Sequence, residues 1–117
     1  KRFFDNGCVV AAGSDSPVED YNPMLGIEGA VNRRDWDNQP PEGWFSEQCI
    51  TVEQAVQAFT TGAAYANYEE NEKGTIEVGK FADLIVLSDD IFSMNKDDLA
   101  KAKVEKTIIG GELVYSA

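Results

Sequence analysis

Cys8–Val18 reads CVVAAGSDSPV. Cys8 to Ala12 form a short apolar run with a β-branched centre, which suits a strand buried on both faces, as in a parallel sheet. Cys8, inside that run, is expected to be a small core residue. Gly13 ends the run, and Ser14, Asp15, Ser16 and Pro17 follow. The chain thus presents a carboxylate directly after a buried strand. In α/β folds the carboxyl ends of parallel strands are where ligands and catalytic groups sit. The residues alone leave two readings of Asp15 open. It is a functional carboxylate, or it is a turn residue that caps the next segment with Ser16, since Gly, Ser, Asp and Pro are ordinary turn formers.

Working outward, Phe3 and Phe4 followed by Asp5-Asn6-Gly7 read as a helix end and a turn into that strand. On the other side, Asn22-Pro23 places a cap and a first-turn proline before Met24, Ile27, Ala30 and Val31. This spacing predicts an amphipathic helix over 23–33. Gly26 and Gly29 weaken it by about 1 kcal/mol each relative to Ala, and their small size suits close packing. Residues 35–48, DWDNQPPEGWFSEQ, are expected to be a loop because of Pro40-Pro41 and Gly43. Trp36, Trp44 and Phe45 are too many aromatics for an idle linker, so they are expected to cover the mouth of a site or to pack on a neighbouring segment. Asp35 and Asp37 lack the regular spacing and final Glu of a calcium loop.

Thr51-Val52-Glu53-Gln54 is a capping box, and Val52, Ala55, Val56, Phe59 and Ala63 then share one helix face. Gly62 is expected to divide this helix from a shorter one over 63–68. Glu69, Glu70 and Glu72 read as a solvated turn, with metal binding the weaker alternative. From Gly74 the pattern turns to β: Thr75–Val78 between glycines, then Leu84–Leu87 as a buried strand after Asp83. Ser88-Asp89-Asp90 is a turn, and Asn95 caps a short helix over 96–101. A hairpin closes the chain: 104–109, Gly110-Gly111, then 112–115, with a primed two-residue turn.

The chain has 117 residues and a formal net charge of −11. Four basic face nine acidic residues in 1–48, and six face twelve in 49–117. This evenly acidic surface disfavours nucleic acid or an anionic membrane as partner. No apolar run approaches the ~18 residues of a membrane span, and KRFFDNG lacks the apolar region of a signal peptide. Cys8 and Cys49 do not make a disulfide framework, so a cytoplasmic location is expected. There is no histidine, which excludes Ser-His-Asp and Cys-His catalysis within the chain and removes the commonest zinc ligand.

Two stretches carry a resemblance. GSDSPVEDYNPMLGIEGAVNR (13–33) resembles the last barrel strand and following loop of the amidohydrolase superfamily, and GTIEVGKFADLIVLSDDIF (74–92) resembles its Gly-x-Ile-x-x-Gly-x-x-Ala-Asp-Leu-x-Val-Leu signature. Within the superfamily the likeness is to amidohydrolase family three, the branch that includes N-substituted formamide deformylases. The Thr-x-Glu-x-Ala pattern at Thr51 fits the same family. The resemblance implies a metal-dependent hydrolase acting on C–N bonds of small-molecule amides. It implies that Asp15 is a metal ligand at the eighth strand of a (β/α)8 barrel and handles the proton of the attacking water. It gives Asp83 a structural role at a strand start.

An eight-stranded barrel needs about 250 residues. The expectation is therefore a carboxy-terminal portion, one that begins without a Met. Residues 1–70 would be the last barrel strand, loop and helices, and 71–117 the carboxy-terminal strands of a small β-sandwich, giving an α/β fragment that is α+β as an isolated chain. The cofactor implied is a divalent metal, zinc by expectation, held only with ligands that these residues do not supply. The isolated chain is expected to be inactive and to self-associate through unpaired strand edges. The alternatives are a small acidic binding or structural module without chemistry, and an acidic calcium-binding domain.

Overall fold

A computed structural model describes all 117 residues. The Asn22 side chain accepts the Met24 N–H at 3.0 Å, and Pro23 takes the first position of a helix, where its missing N–H costs nothing. After a one-turn α1 (Arg2–Asp5), this is α2 (Pro23–Asn32). Its Met24, Ile27 and Val31 are buried, as their spacing predicts. Thr51 and Gln54 form the reciprocal cap: Gln54 N–H donates to Thr51 Oγ1 at 3.2 Å and Thr51 N–H to Gln54 Oε1 at 3.1 Å. That cap starts α3 (Val52–Phe59), and α4 (Thr61–Ala66) follows.

The break between α3 and α4 falls at Thr60, with φ −120° and ψ −88°, and not at Gly62. Gly62 lies inside α4, against the Val10 carbonyl, where any Cβ would overlap that oxygen. The glycine serves approach rather than helix breaking. Gly26 does similar work in α2, since a Cβ there would lie 2.6 Å from the Phe59 ring. Gly29 meets nothing within 4 Å, so the expectation of close packing holds for only one of the two.

Beyond the helices, β1 (Leu84–Leu87), β2 (Val104–Ile109) and β3 (Glu112–Ser116) make one antiparallel sheet in that order. Leu84 faces Ile108 and Thr107 faces Tyr115, with bulges between Val86 and Leu87 and between Thr107 and Ile108. Gly110 and Gly111, both at positive φ (58° and 86°), form the two-residue turn. The Asp83 carboxylate accepts the Gly110 N–H at 2.7 Å, which ties the start of β1 to that turn. A 3₁₀ segment, Lys96–Lys101, joins the sheet to the helices, with Asn95 accepting the Asp97 N–H at 3.1 Å. Its Leu99 is fully buried in a core with Met24, Ile27, Val31, Ala55, Ile91 and Ala102. Burial of a leucine of this kind is worth about 1.5–3 kcal/mol.

Several expectations are corrected. Residues 8–12 form no strand, and Cys8 is exposed rather than in the core. A parallel strand needs neighbours for its N–H and C=O groups, and the only sheet in these 117 residues is the antiparallel one. The segment docks on helices instead: Ala12 N–H donates to Ala58 O at 2.9 Å. Thr75–Val78 is irregular, with Ile76 and Val78 exposed. There the Lys80 ammonium gathers the Glu70 carbonyl at 2.8 Å and Thr75 Oγ1 at 2.6 Å, which folds the segment back. Leu84–Leu87 is a strand, but Ile85 and Val86, which point to opposite faces of the sheet, are exposed because no helix packs over them. The 35–48 loop contains a short 3₁₀ turn, Ser46–Gln48. The architecture is thus α+β, as expected for the isolated chain.

Candidate functional site

The 13–23 turn is set by its ends. Ala12 is fixed to Ala58, and Asn22 caps α2. Between them Ser14 O accepts the Glu19 N–H at 3.2 Å and Asp15 O accepts the Val18 N–H at 2.9 Å. Asp15 itself has φ 49°. That left-handed conformation is uncommon outside glycine and is tolerated best by Asp and Asn. The Asp15 side chain is exposed. It stands on a sharp turn whose neighbours Gly13, Ser14 and Glu19 line a cleft of ≈ 560 Å³.

One wall of the cleft is this turn, the second is α2, and the third is the loop at Arg34–Asn38. Of the three aromatics in the 35–48 loop, Trp36 lines the cleft. Trp44 and Phe45 stack on each other, ring centroids 5.5 Å apart, and both stay exposed, so of the three only Trp36 lies at the cleft. Asp35 Oδ1 accepts the Asp37 and Gln39 N–H groups at 2.9 and 2.8 Å. Asp35 therefore builds a turn. Glu69 pairs with Lys73 at 3.1 Å, but Glu70 is half-buried with Oε2 out of solvent and unpartnered, so the expected solvated turn holds only in part.

Three polar residues of the cleft, Asn32, Arg34 and Glu28, are not singled out by sequence. Asn32 is 4 % exposed; its Nδ2 donates to Lys96 O at 2.8 Å, and its Oδ1 has no partner. Arg34 pairs with Asp97 at 2.9 Å, which leaves its Nε buried and unpartnered. Glu28 Oε2 accepts the Ala100 N–H at 2.6 Å. These partners lie over sixty residues away in sequence, so no local pattern announces them.

No three His, Cys, Asp or Glu side chains come together in a way that could hold a metal ion. With no histidine in the chain, these residues do not by themselves fit a closed zinc site, which takes four ligands rich in nitrogen or sulfur. No helix is long and apolar enough to cross a membrane.

The arrangement of helices beside a three-stranded sheet matches a solved hydrolase, the crystal structure of an amidohydrolase from Thermotoga maritima MSB8, with a TM-score of 0.71 at 23 % identity over 99 % of this chain and 25 % of that one. Sequence then settles the family: the amidohydrolase family profile matches residues 1–115, and the chain belongs to that family. It is 36 % identical over 115 residues to YtcJ of Bacillus subtilis (strain 168), named as an amidohydrolase. It is 30 % identical over 115 residues to N-substituted formamide deformylase of Arthrobacter pascens. Both alignments take in 98 % of this chain, but only 22 % and 21 % of the relatives, so the chain spans about a fifth of their length.

Proposed function

We propose that the protein carrying this chain hydrolyses a non-peptide C–N bond of a small amide, and that Asp15 is both metal ligand and proton carrier. Asp15 carries the reading: an exposed carboxylate held at φ 49° on a sharp turn beside the cleft, in the family's Gly-Ser-Asp context. A bound divalent cation, zinc by expectation, would supply a water of lowered pKa and a polarised carbonyl. Asp15 itself takes a proton from the attacking water and returns it to the leaving nitrogen, a general acid–base role.

In the same reading, residues 1–70 belong to the catalytic barrel and 71–117 to a small sandwich domain, with the protein cytoplasmic. The chain alone is inactive, because a single carboxylate does not retain a catalytic metal against water. The edges of β1 and β3 support strand-edge association of the isolated chain, which sedimentation at rising concentration reads directly. Asp15→Asn in the intact protein keeps the fold and loses turnover by a factor of about 10² or more. Near-normal turnover in a folded Asp15→Asn protein would remove Asp15 from the reaction.

A further inference from the structure

Three side-chain bonds join α2 and the residue beyond its cap to the distant segment 96–101. Glu28 Oε2 accepts the Ala100 N–H at 2.6 Å, Asn32 Nδ2 donates to Lys96 O at 2.8 Å, and Arg34 pairs with Asp97 at 2.9 Å. Glu28 and Asn32 are four apart, so they share one face of α2. Their partners, Ala100 and Lys96, are also four apart and follow in reverse order along the 3₁₀ segment. The two elements are thus stapled antiparallel in one register. Beneath the staple Leu99 packs with Met24, Ile27 and Val31. Apolar contact is non-directional, so packing holds α2 close without fixing its slide or its rotation. Hydrogen bonds have a preferred length and angle, and these bonds fix both.

The staple bears on Asp15 because the turn that carries it is fastened to α2. Asn22 caps α2, Asp20 Oδ1 accepts the Asn22 N–H at 2.8 Å, and Ser14 O accepts the Glu19 N–H at 3.2 Å. The other end of the turn is fastened elsewhere, through the Ala12 N–H to Ala58 O of α3. Asp15 therefore lies between two anchors, and its place depends on where α2 stands relative to α3. Of the three staple bonds, that of Glu28 stands nearest the turn in sequence.

Resting on the reading of Asp15 above, we propose that Glu28 is a positioning residue for the hydrolysis: by accepting the Ala100 N–H it sets the register of α2 on segment 96–101, and so the place of the Asp15 carboxylate. Its oxygen works as an acceptor, not as a charge or a base. A reacting group misplaced by about 1 Å costs about 10² in rate, so a small slide of α2 is enough to show in turnover. Segment 96–101 thereby acts on the reaction although none of its residues lines the cleft.

The intact protein carries the test. Glu28→Ala leaves the Ala100 N–H without its acceptor, and kcat, corrected for the folded fraction, is expected to fall about tenfold with KM changed less than about twofold. Glu28→Gln keeps an acceptor oxygen at the same reach and is expected to restore kcat to within about twofold. Asp97→Ala cuts the staple from the side away from the cleft and is expected to lower kcat about two- to threefold. Amide exchange gives a readout apart from turnover: the Val18 and Glu19 N–H groups exchange faster in Glu28→Ala and at the native rate in Glu28→Gln. Equal losses of turnover in Glu28→Ala and Glu28→Gln overturn the assignment, because charge or proton transfer would then matter rather than the acceptor. A raised KM at unchanged kcat overturns it as well, by making Glu28 a substrate contact. So do native turnover and native exchange in a folded Glu28→Ala protein. Where Glu28→Ala does not fold, Asp97→Ala decides, and native exchange at Val18 and Glu19 in that variant overturns the assignment. In an intact protein that hydrolyses no amide, faster exchange in Glu28→Ala that Glu28→Gln reverses supports the staple while the hydrolase reading falls, so the two fail separately.

Discussion

Gly62 sits directly against the carbonyl of Val10, leaving no room for a side chain. This contact and the Ala12–Ala58 hydrogen bond are how the segment leading to Asp15 is held. Helix propensity alone favours Ala over Gly in α4 by about 1 kcal/mol. Overlap with a backbone oxygen acts in the opposite sense, and backbone does not yield as a side-chain tip does. Gly62→Ala is therefore expected to destabilise by about 1–3 kcal/mol, measured by denaturant unfolding. A gain in stability would mean that the segment does not dock on α4.

The α3 cap offers a separable test. Thr51→Ala removes the Oγ1 that accepts the Gln54 N–H and costs about 1 kcal/mol. Thr51→Ser retains the oxygen and is expected to cost a few tenths at most. Equal losses for the two in a chemical melt would show that the methyl group, rather than the cap, is what matters.

How much of this was legible in the sequence depended on the range of the forces involved. The caps at Asn22, Thr51 and Asn95 and the Gly110-Gly111 turn are settled within four residues, and they were readable. Residues 8–12 were misread as a strand because an apolar β-branched run describes only what a segment could bury. Whether it pairs depends on partners elsewhere, and here helices supply the contacts. Thr75–Val78 failed for a similar reason: Lys80 gathers that segment through a side-chain network that β-propensity does not register. Asp15 is singled out by the family resemblance of its Gly-Ser-Asp stretch and not by its turn chemistry, whereas Asn32 and Arg34 become visible only once Lys96 and Asp97 are folded against them.

That Lys80 network makes the stability depend on pH. The Thr75 hydroxyl, 2.9 Å away, and then the Lys80 ammonium at 3.1 Å hold the Glu77 carboxyl below its ordinary value of 4.5. A carboxyl with a lowered folded pKa contributes stability that is complete above the unfolded value and is lost as pH falls through the folded one. The contribution of Glu77 is thus expected to be present above pH 4.5 and to fade in more acidic solution. Glu77→Gln should leave a melting profile with less acid dependence in that window. Parallel profiles for the two proteins would show that the group has the same affinity for protons folded and unfolded.

The last prediction concerns Asp83, a conspicuous carboxylate with no part in the proposed chemistry. It stands one residue before β1 and accepts the Gly110 N–H at 2.7 Å, while Gly111 N–H donates to Ala82 O at 3.1 Å. Both bonds join the entry of β1 to the far turn of the hairpin. A charge-assisted bond to a backbone N–H in an exposed position is worth about 1 kcal/mol. Asp83→Ala is expected to lose about that much and to speed amide exchange at Gly110 and along β1. Asp83→Asn keeps the acceptor oxygen and should retain most of the protection. Turnover of the intact protein, corrected for the folded fraction, is expected to be unchanged in both variants. A folded Asp83→Asn protein with normal exchange but lost turnover would move Asp83 from the scaffold into the chemistry, and Asp15 would no longer be the only carboxylate of this chain assigned to it.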